Sequence, residues 1–265
     1  MAGLLALGAA WVFAATLRKP VAAMLAGGPP ARNFRGQEIP TGMGLCLLLA
    51  LLPGFFLLHL GGFISAAILW QQAFWLALVS LAGLADDAWG NKKNRGFRGH
   101  FRALAGGQLT TGVLKVLAVG LGALLYSLPL SPGGLVAAGV LALSVNAINQ
   151  LDLRPGRALK GALFLLGGLA LAGSLPAALG CGASLALLPG DLKAQYMLGD
   201  AGANLLGALV GLALVTLLDP PWHLAVLALL ALVNGAGELF SITRLIEGSK
   251  LLRWIDQIGR PQAGK

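Results

Sequence analysis

The chain has 265 residues, 57% of them apolar and only 11% charged, with a mean hydropathy of +0.80. A soluble domain carries about 25% charged residues, so a soluble globular protein of this size is excluded. The net charge of +9 and pI near 10.2 do not signal nucleic-acid binding, because the basic residues sit at the edges of long apolar runs, where they fix membrane topology and meet anionic headgroups.

In chain order, residues 2–17 form the first apolar stretch. No A-x-A-like cleavage site follows, so it reads as a retained first helix. Next comes a basic cluster of Arg18, Lys19, Arg32 and Arg35. The loop Asn33-Phe34-Arg35-Gly36-Gln37-Glu38-Ile39-Pro40-Thr41-Gly42 combines glycines, which allow close backbone approach, with an arginine able to grip phosphate bidentately. Alone, it reads first as a solvated inter-helix loop. The following apolar segment turns at Leu60-Gly61-Gly62 and ends in Gly83-Leu84-Ala85-Asp86-Asp87. Two adjacent carboxylates closing an apolar helix require water, a cation or a partner. They suit Mg²⁺, a hard cation that takes oxygen ligands and keeps several waters.

Lys92, Lys93, Arg95, Arg98, Arg102 and Lys115 form the second basic cluster, with Lys115 about two turns into a helix. The next segment turns at 128–134 and ends in Asn146-Ala147-Ile148-Asn149-Gln150-Leu151-Asp152-Leu153-Arg154-Pro155-Gly156-Arg157. On a helix, Asn146, Asn149 and Asp152 step by three and make one polar stripe. Such a stripe faces a watery cleft or hydrogen-bonds a neighbouring helix. Arg154, Arg157 and Lys160 form the third cluster, and Lys193 stands alone after a turn at Ser174-Leu175-Pro176.

Met197-Leu198-Gly199-Asp200-Ala201-Gly202-Ala203-Asn204 then opens another apolar segment. Asp200 either caps a helix or binds a metal while the helix N-terminus and glycine backbone offer N–H groups to phosphate. Ala203, Gly207 and Gly211 recur every four residues, as close helix packing requires. After Asp219-Pro220-Pro221, Glu238 lies one turn from Asn234, either near the active face or as a structural partner. Arg244, Lys250, Arg253, Arg260 and Lys265 complete the basic residues, and 243–260 reads as an interfacial amphipathic helix with Leu251, Trp254, Ile255 and Ile258 on one side.

Each long apolar segment starts and ends beside a basic cluster, so each reads as a hairpin of two spans at about 20 residues per span. With the first helix this predicts an all-α polytopic transmembrane bundle of about nine spans in one integral-membrane domain, residues 1–265. The N-terminus is outside and the C-terminus cytoplasmic. The spans near 162–173 and 177–189 are short. Of the ten acids only Asp219 maps outside, so function is expected on the cytoplasmic face, and a transporter, with ionisable groups near the midplane, is disfavoured. Cys46 and Cys181 lie in apolar runs and read as small buried hydrophobes. His59, His100 and His223 have no metal-ligand spacing. No P-loop, dinucleotide fingerprint or serine nucleophile motif occurs.

Four features thus share one face, in order: Asn-x-Arg-Gly…Ile-Pro-Thr-Gly, the Asp-Asp helix end, Asn-Ala-x-Asn-x-x-Asp, and Leu-Gly-Asp-x-Gly. This set resembles the polyprenyl-phosphate N-acetylhexosamine-1-phosphate transferase family, which includes phospho-N-acetylmuramoyl-pentapeptide transferase. The resemblance spans roughly residues 33–207. It implies an Mg²⁺-dependent phosphoglycosyltransferase in the inner membrane. Such an enzyme passes a sugar-1-phosphate from a UDP-sugar to undecaprenyl phosphate in cell wall biogenesis and releases UMP.

By the same resemblance Asp86, Asp87, Asp152 and Asp200 are the matching catalytic acids, with Asp200 and Asp86 holding the metal. Asn33, Arg35, Thr41, Asn146, Asn149, Arg154, Arg157 and Gly199 are the matching substrate-binding positions. A homodimer is implied as well. Two departures stand out. The family's second motif usually continues Asp-Gly-x-Asp-Gly, whereas here it reads Asp152-Leu153-Arg154-Pro155-Gly156. The family's tenth span and late histidine-containing loop are replaced by 243–260. The missing histidine loop supports an alternative, a catalytically silent relative that binds polyprenyl phosphate or scaffolds a glycan-synthesis complex.

Overall fold

The computed structural model describes residues 1–28, 31–33, 35–90, 107, 110–129 and 133–261. Phe34, Lys92, Lys93, Arg95, Arg98, His100, Arg102, Lys265 and part of the turn at 128–134 lie outside the described residues. Apart from connecting turns and loops, the described residues form helices and one small hairpin. The helices are α1 (Ala2–Ala26), α2 (Gly44–Leu60), α3 (Ala66–Trp89), α4 (Thr111–Ser127), α5 (Gly134–Asn149), α6 (Arg157–Leu171), α7 (Leu175–Leu192), α8 (Gly199–Leu217), α9 (Pro220–Leu239), α10 (Ile242–Gly248) and α11 (Lys250–Gln257). Between α1 and α2, strands β1 (Ala31–Arg32) and β2 (Glu38–Ile39) pair antiparallel, Ala31 with Ile39 and Arg32 with Glu38.

Hydroxyl side chains cap several helix starts, one of them at the turn signal Ser174-Leu175-Pro176. Ser65, Thr110 and Ser174 accept the backbone N–H groups of Ile68, Val113 and Ala177 at the beginnings of α3, α4 and α7. Prolines stand in the first turns of α7 and α9, where the missing N–H would be unsatisfied anyway. The first helix outruns its expected end at residue 17 by reaching Ala26, so Arg18 and Lys19 are helical. Arginine, lysine, alanine and methionine are good helix formers, and Pro20 removes only one internal hydrogen bond.

Helices α1, α3, α7, α8 and α9 are long and apolar enough to cross a membrane, and α2, α4 and α5 are apolar but shorter. These helices support a multi-pass membrane protein. At its centre lies α8, whose residues from Ala201 to Ala213 are all buried and which packs on α2, α3, α5, α6 and α7. With lipid outside, packing relies on close backbone approach instead of water exclusion. A Cβ at Gly207 would lie 2.5 Å from the Ser144 carbonyl oxygen and the Val145 Cα of α5. Helix α9, by contrast, buries only His223 and Asn234 and rests on α5. Cys46 and Cys181 are buried free thiols.

Candidate functional site

Residues 86 and 87 are about 100° apart around α3, so they address different neighbours. Asp86 faces α4. Its Oδ1 accepts the Thr111 hydroxyl and its Oδ2 accepts Lys115 Nζ at 2.7 Å. The same ammonium donates to Asp200 Oδ2. Lys115 therefore bridges two carboxylates from α3 and α8, with its own side chain and that of Asp86 each 15% exposed.

Asp87 turns to the start of α8. Its Oδ1 and Oδ2 accept the backbone N–H groups of Asp200 and Ala201 at 2.9 and 3.0 Å. Leu198, the N-terminal flanking residue of α8, supplies no side-chain cap, so the cap comes from α3. A carboxylate is favoured there by the positive end of the helix dipole. Of the two sequence readings of Asp200, capping is taken over by Asp87, and the α8 amides expected to meet phosphate are engaged by the same carboxylate. Gly199 allows this approach. Its φ is +67°, and a Cβ would stand 2.4 Å from Asp87 Oδ2.

The first loop reaches the same place through its second half. Met43 and Gly44 N–H donate to the carbonyls of Met197 and Leu198 at 3.2 Å each, and Met197 N–H donates to Pro40 at 2.8 Å. The Ile-Pro-Thr-Gly and Leu-Gly-Asp segments are thus joined through the backbone around Thr41. Helices close in behind: a Cβ at Gly44 would meet Gly202 N at 2.1 Å, and one at Gly83 would meet the Asp200 carbonyl oxygen at 2.5 Å. In the hairpin, buried Asn33 accepts the N–H groups of Arg35 and Gln37 at 2.8 and 3.0 Å, an Asx turn. It presents Arg35 at an exposed tip.

No family model matches the chain, and no curated protein does.

Asp152 lies in the turn after α5. Burial first, then the carboxylates of Asp191, Asp200 and Asp87, push its carboxyl well above the usual range. Asn146 is held elsewhere. Its Nδ2 donates to Asn234 Oδ1 on α9, and Asn234 Nδ2 donates to the Leu143 and Leu230 carbonyls. Of the alternatives open for that stripe, Asn146 takes the helix–helix one. Asn149 stands part-exposed on the last turn of α5, its carbonyl accepting Asp152 N–H at 3.1 Å.

Arg154 is part-exposed, whereas Arg157 is buried and committed to the C-terminal segment. Its Nε and Nη2 donate to Asp256 at 2.9 and 3.1 Å and its Nη1 to Thr243 at 3.1 Å. Arg260 grips the other side of Asp256 at 2.8 and 3.0 Å. Lys160 Nζ donates to the carbonyls of Ile255, Asp256 and Ile258. The arginine and lysine after the altered second motif thus dock α10 and α11.

Sequence reasoning missed Lys115, Thr111 and Asp191 as site residues. A lone lysine in an apolar helix was the available signal for Lys115. Asp191 is 4% exposed and accepts Gly156 N–H with Oδ2, tying the third polar segment to the end of α7. Among the described residues no group of three or more His, Cys, Asp or Glu has a metal-holding arrangement. The pair Asp86 and Asp200 still fits Mg²⁺ in kind, because their oxygens already share one cation, and Mg²⁺ is commonly bound by one or two carboxylates plus substrate phosphates and water.

Proposed function

We propose that the protein transfers a sugar-1-phosphate from a UDP-sugar to undecaprenyl phosphate at the cytoplasmic face of the inner membrane. The observation that carries this reading is the meeting of Asp86, Asp87 and Asp200, from stretches more than 100 residues apart, with the Ile-Pro-Thr-Gly loop. The motif order points to the polyprenyl-phosphate N-acetylhexosamine-1-phosphate transferases. In this reading helices α1–α9 form nine spans with the N-terminus outside, α10 and α11 lie at the interface, and the protein works as a homodimer.

An oxygen of the lipid phosphate attacks the β-phosphorus of the nucleotide sugar in line. A new P–O bond forms, the bond from that phosphorus to the bridging oxygen breaks, and UMP leaves with the electron pair. The lipid phosphate, with a second pKa near ~6, is largely dianionic at neutral pH, so no general base is needed. Asp200 and Asp86 would hold Mg²⁺, which supplies charge neutralisation for the diphosphate. Lys115 balances the acids before substrate arrives, and Asp87 sets where Asp200 stands. Arg35 and Arg154 neutralise phosphate charge. Thr41, Asn149 and Gly199 shape the nucleotide side of the cleft.

UMP release from a panel of UDP-sugars, with and without undecaprenyl phosphate and Mg²⁺, tests the reading. Lipid- and Mg²⁺-dependent release from one sugar, abolished by Asp200→Asn in a protein that still folds, is expected. Retained turnover in that variant refutes the metal assignment. The bridging of Asp86 and Asp200 by Lys115 favours one second reading, a silent relative whose acids are permanently neutralised. Binding of undecaprenyl phosphate with no UMP release across the panel selects it.

A further inference from the structure

A cavity of about 440 Å³ lies between the second half of α1 and the C-terminal end of α7. Arg18, Lys19 and Lys193 line it together with Pro189, Gln195 and Tyr196, and no carboxylate does so among the described residues. Its walls are fixed. Arg18 Nη1 donates to the Ala186 carbonyl at 3.3 Å, and Tyr196, 5% exposed, donates its hydroxyl to the Leu187 carbonyl at 2.7 Å. Towards its N-terminus, α1 exposes the apolar side chains of Leu4, Leu5, Trp11 and Val12.

We propose that this pocket binds the phosphate headgroup of an anionic membrane phospholipid whose acyl chains lie along the exposed face of α1. Three cations in one concavity select a phosphate-bearing anion, with the arginine fork offering directed hydrogen bonds and the lysines point charges. The apolar strip of α1 selects a lipid over a free anion. Position adds a consequence. Lys193, Gln195 and Tyr196 form one wall, and the next two residues, Met197 and Leu198, are bonded to the Pro40–Gly44 loop ahead of Asp200. An occupied pocket braces the segment that carries Asp200. The proposal rests on membrane residence alone and does not require the acid cluster to be catalytic.

The test is native mass spectrometry of the delipidated full chain titrated with phosphatidylglycerol or phosphatidylcholine. The triple variant Arg18→Gln/Lys19→Gln/Lys193→Gln is compared with the exposed-site variant Lys193→Gln, which leaves both helices intact. Wild-type protein should retain phosphatidylglycerol about tenfold better than phosphatidylcholine. The triple variant should lose about that factor, and Lys193→Gln should lose several-fold. If the triple variant fails to fold, the single variant decides alone. Equal retention of both lipids, or unchanged phosphatidylglycerol retention in the variants, overturns the proposal. Displacement of phosphatidylglycerol by millimolar inorganic phosphate makes this a small-anion site and overturns the lipid assignment.

Discussion

Adjacent carboxylates at the C-terminal end of α3 face the negative end of that helix's own dipole, and the fold answers the conflict separately for each. Asp86 receives the ammonium of Lys115, and Asp87 receives the positive end of α8. Replacing Lys115 with methionine leaves Asp86 and Asp200 half-buried without their shared cation. Thermal unfolding in detergent should show a loss of about 2–3 kcal/mol, and adding Asp86→Asn to Lys115→Met should recover part of it. Gly199→Ala forces a side chain into a left-handed backbone against Asp87. A further loss of about 2 kcal/mol is expected, with UMP release falling in parallel. The carboxylates were legible in the sequence because acids at an apolar boundary demand a reason. Lys115 was not, because a lysine near a helix end can equally snorkel to water, and only tertiary contact reveals what it meets.

At the scale of elements, the C-terminal helices are held by side chains from the start of α6. Burial raises the Asp256 carboxyl, but hydrogen bonds and charge from Arg157 and Arg260 outweigh it and hold the carboxyl below the ordinary carboxylate range. A depressed folded value means that docking is fully stabilised above the unfolded Asp value of about 4 and weakens as pH falls through the folded value. Limited proteolysis should therefore find α10 and α11 protected at neutral pH and released only under strong acid. Asp256→Ala strands the buried Arg157 guanidinium and should release them at neutral pH, at about 2 kcal/mol. Composition and turn residues made most helix starts readable, and the amphipathic pattern of 243–260 marked an interfacial segment. The commitment of Arg157 was unreadable, since its partner lies 99 residues away and an arginine after the second motif looks the same whether it serves phosphate or Asp256. The same limit applies to Asn146, whose partner Asn234 belongs to a different hairpin.

For the whole molecule, the basic clusters and apolar runs marked an all-helical multi-pass chain, because charge asymmetry at a membrane boundary is a property of the linear sequence; five of the described helices are long and apolar enough to span and three more are apolar but shorter. The central position of α8 was foreshadowed only by its small residues at every fourth place. Gly207→Val should prevent α5 and α8 from closing and abolish stable folding, read as aggregation on size exclusion in mild detergent. Tags at the two termini should report opposite sides of the bilayer, the N-terminal one accessible from outside. The cap that α3 lends to α8 also links distant parts of the chain: Asp87 restrains the amide of Asp200 across 113 positions of sequence. Hydrogen exchange at Asp200 and Ala201 should accelerate in Asp87→Ala while the middle of α8 stays protected. Because the bond is to the amide and not to the side chain, Asp200→Ala should leave that protection in place.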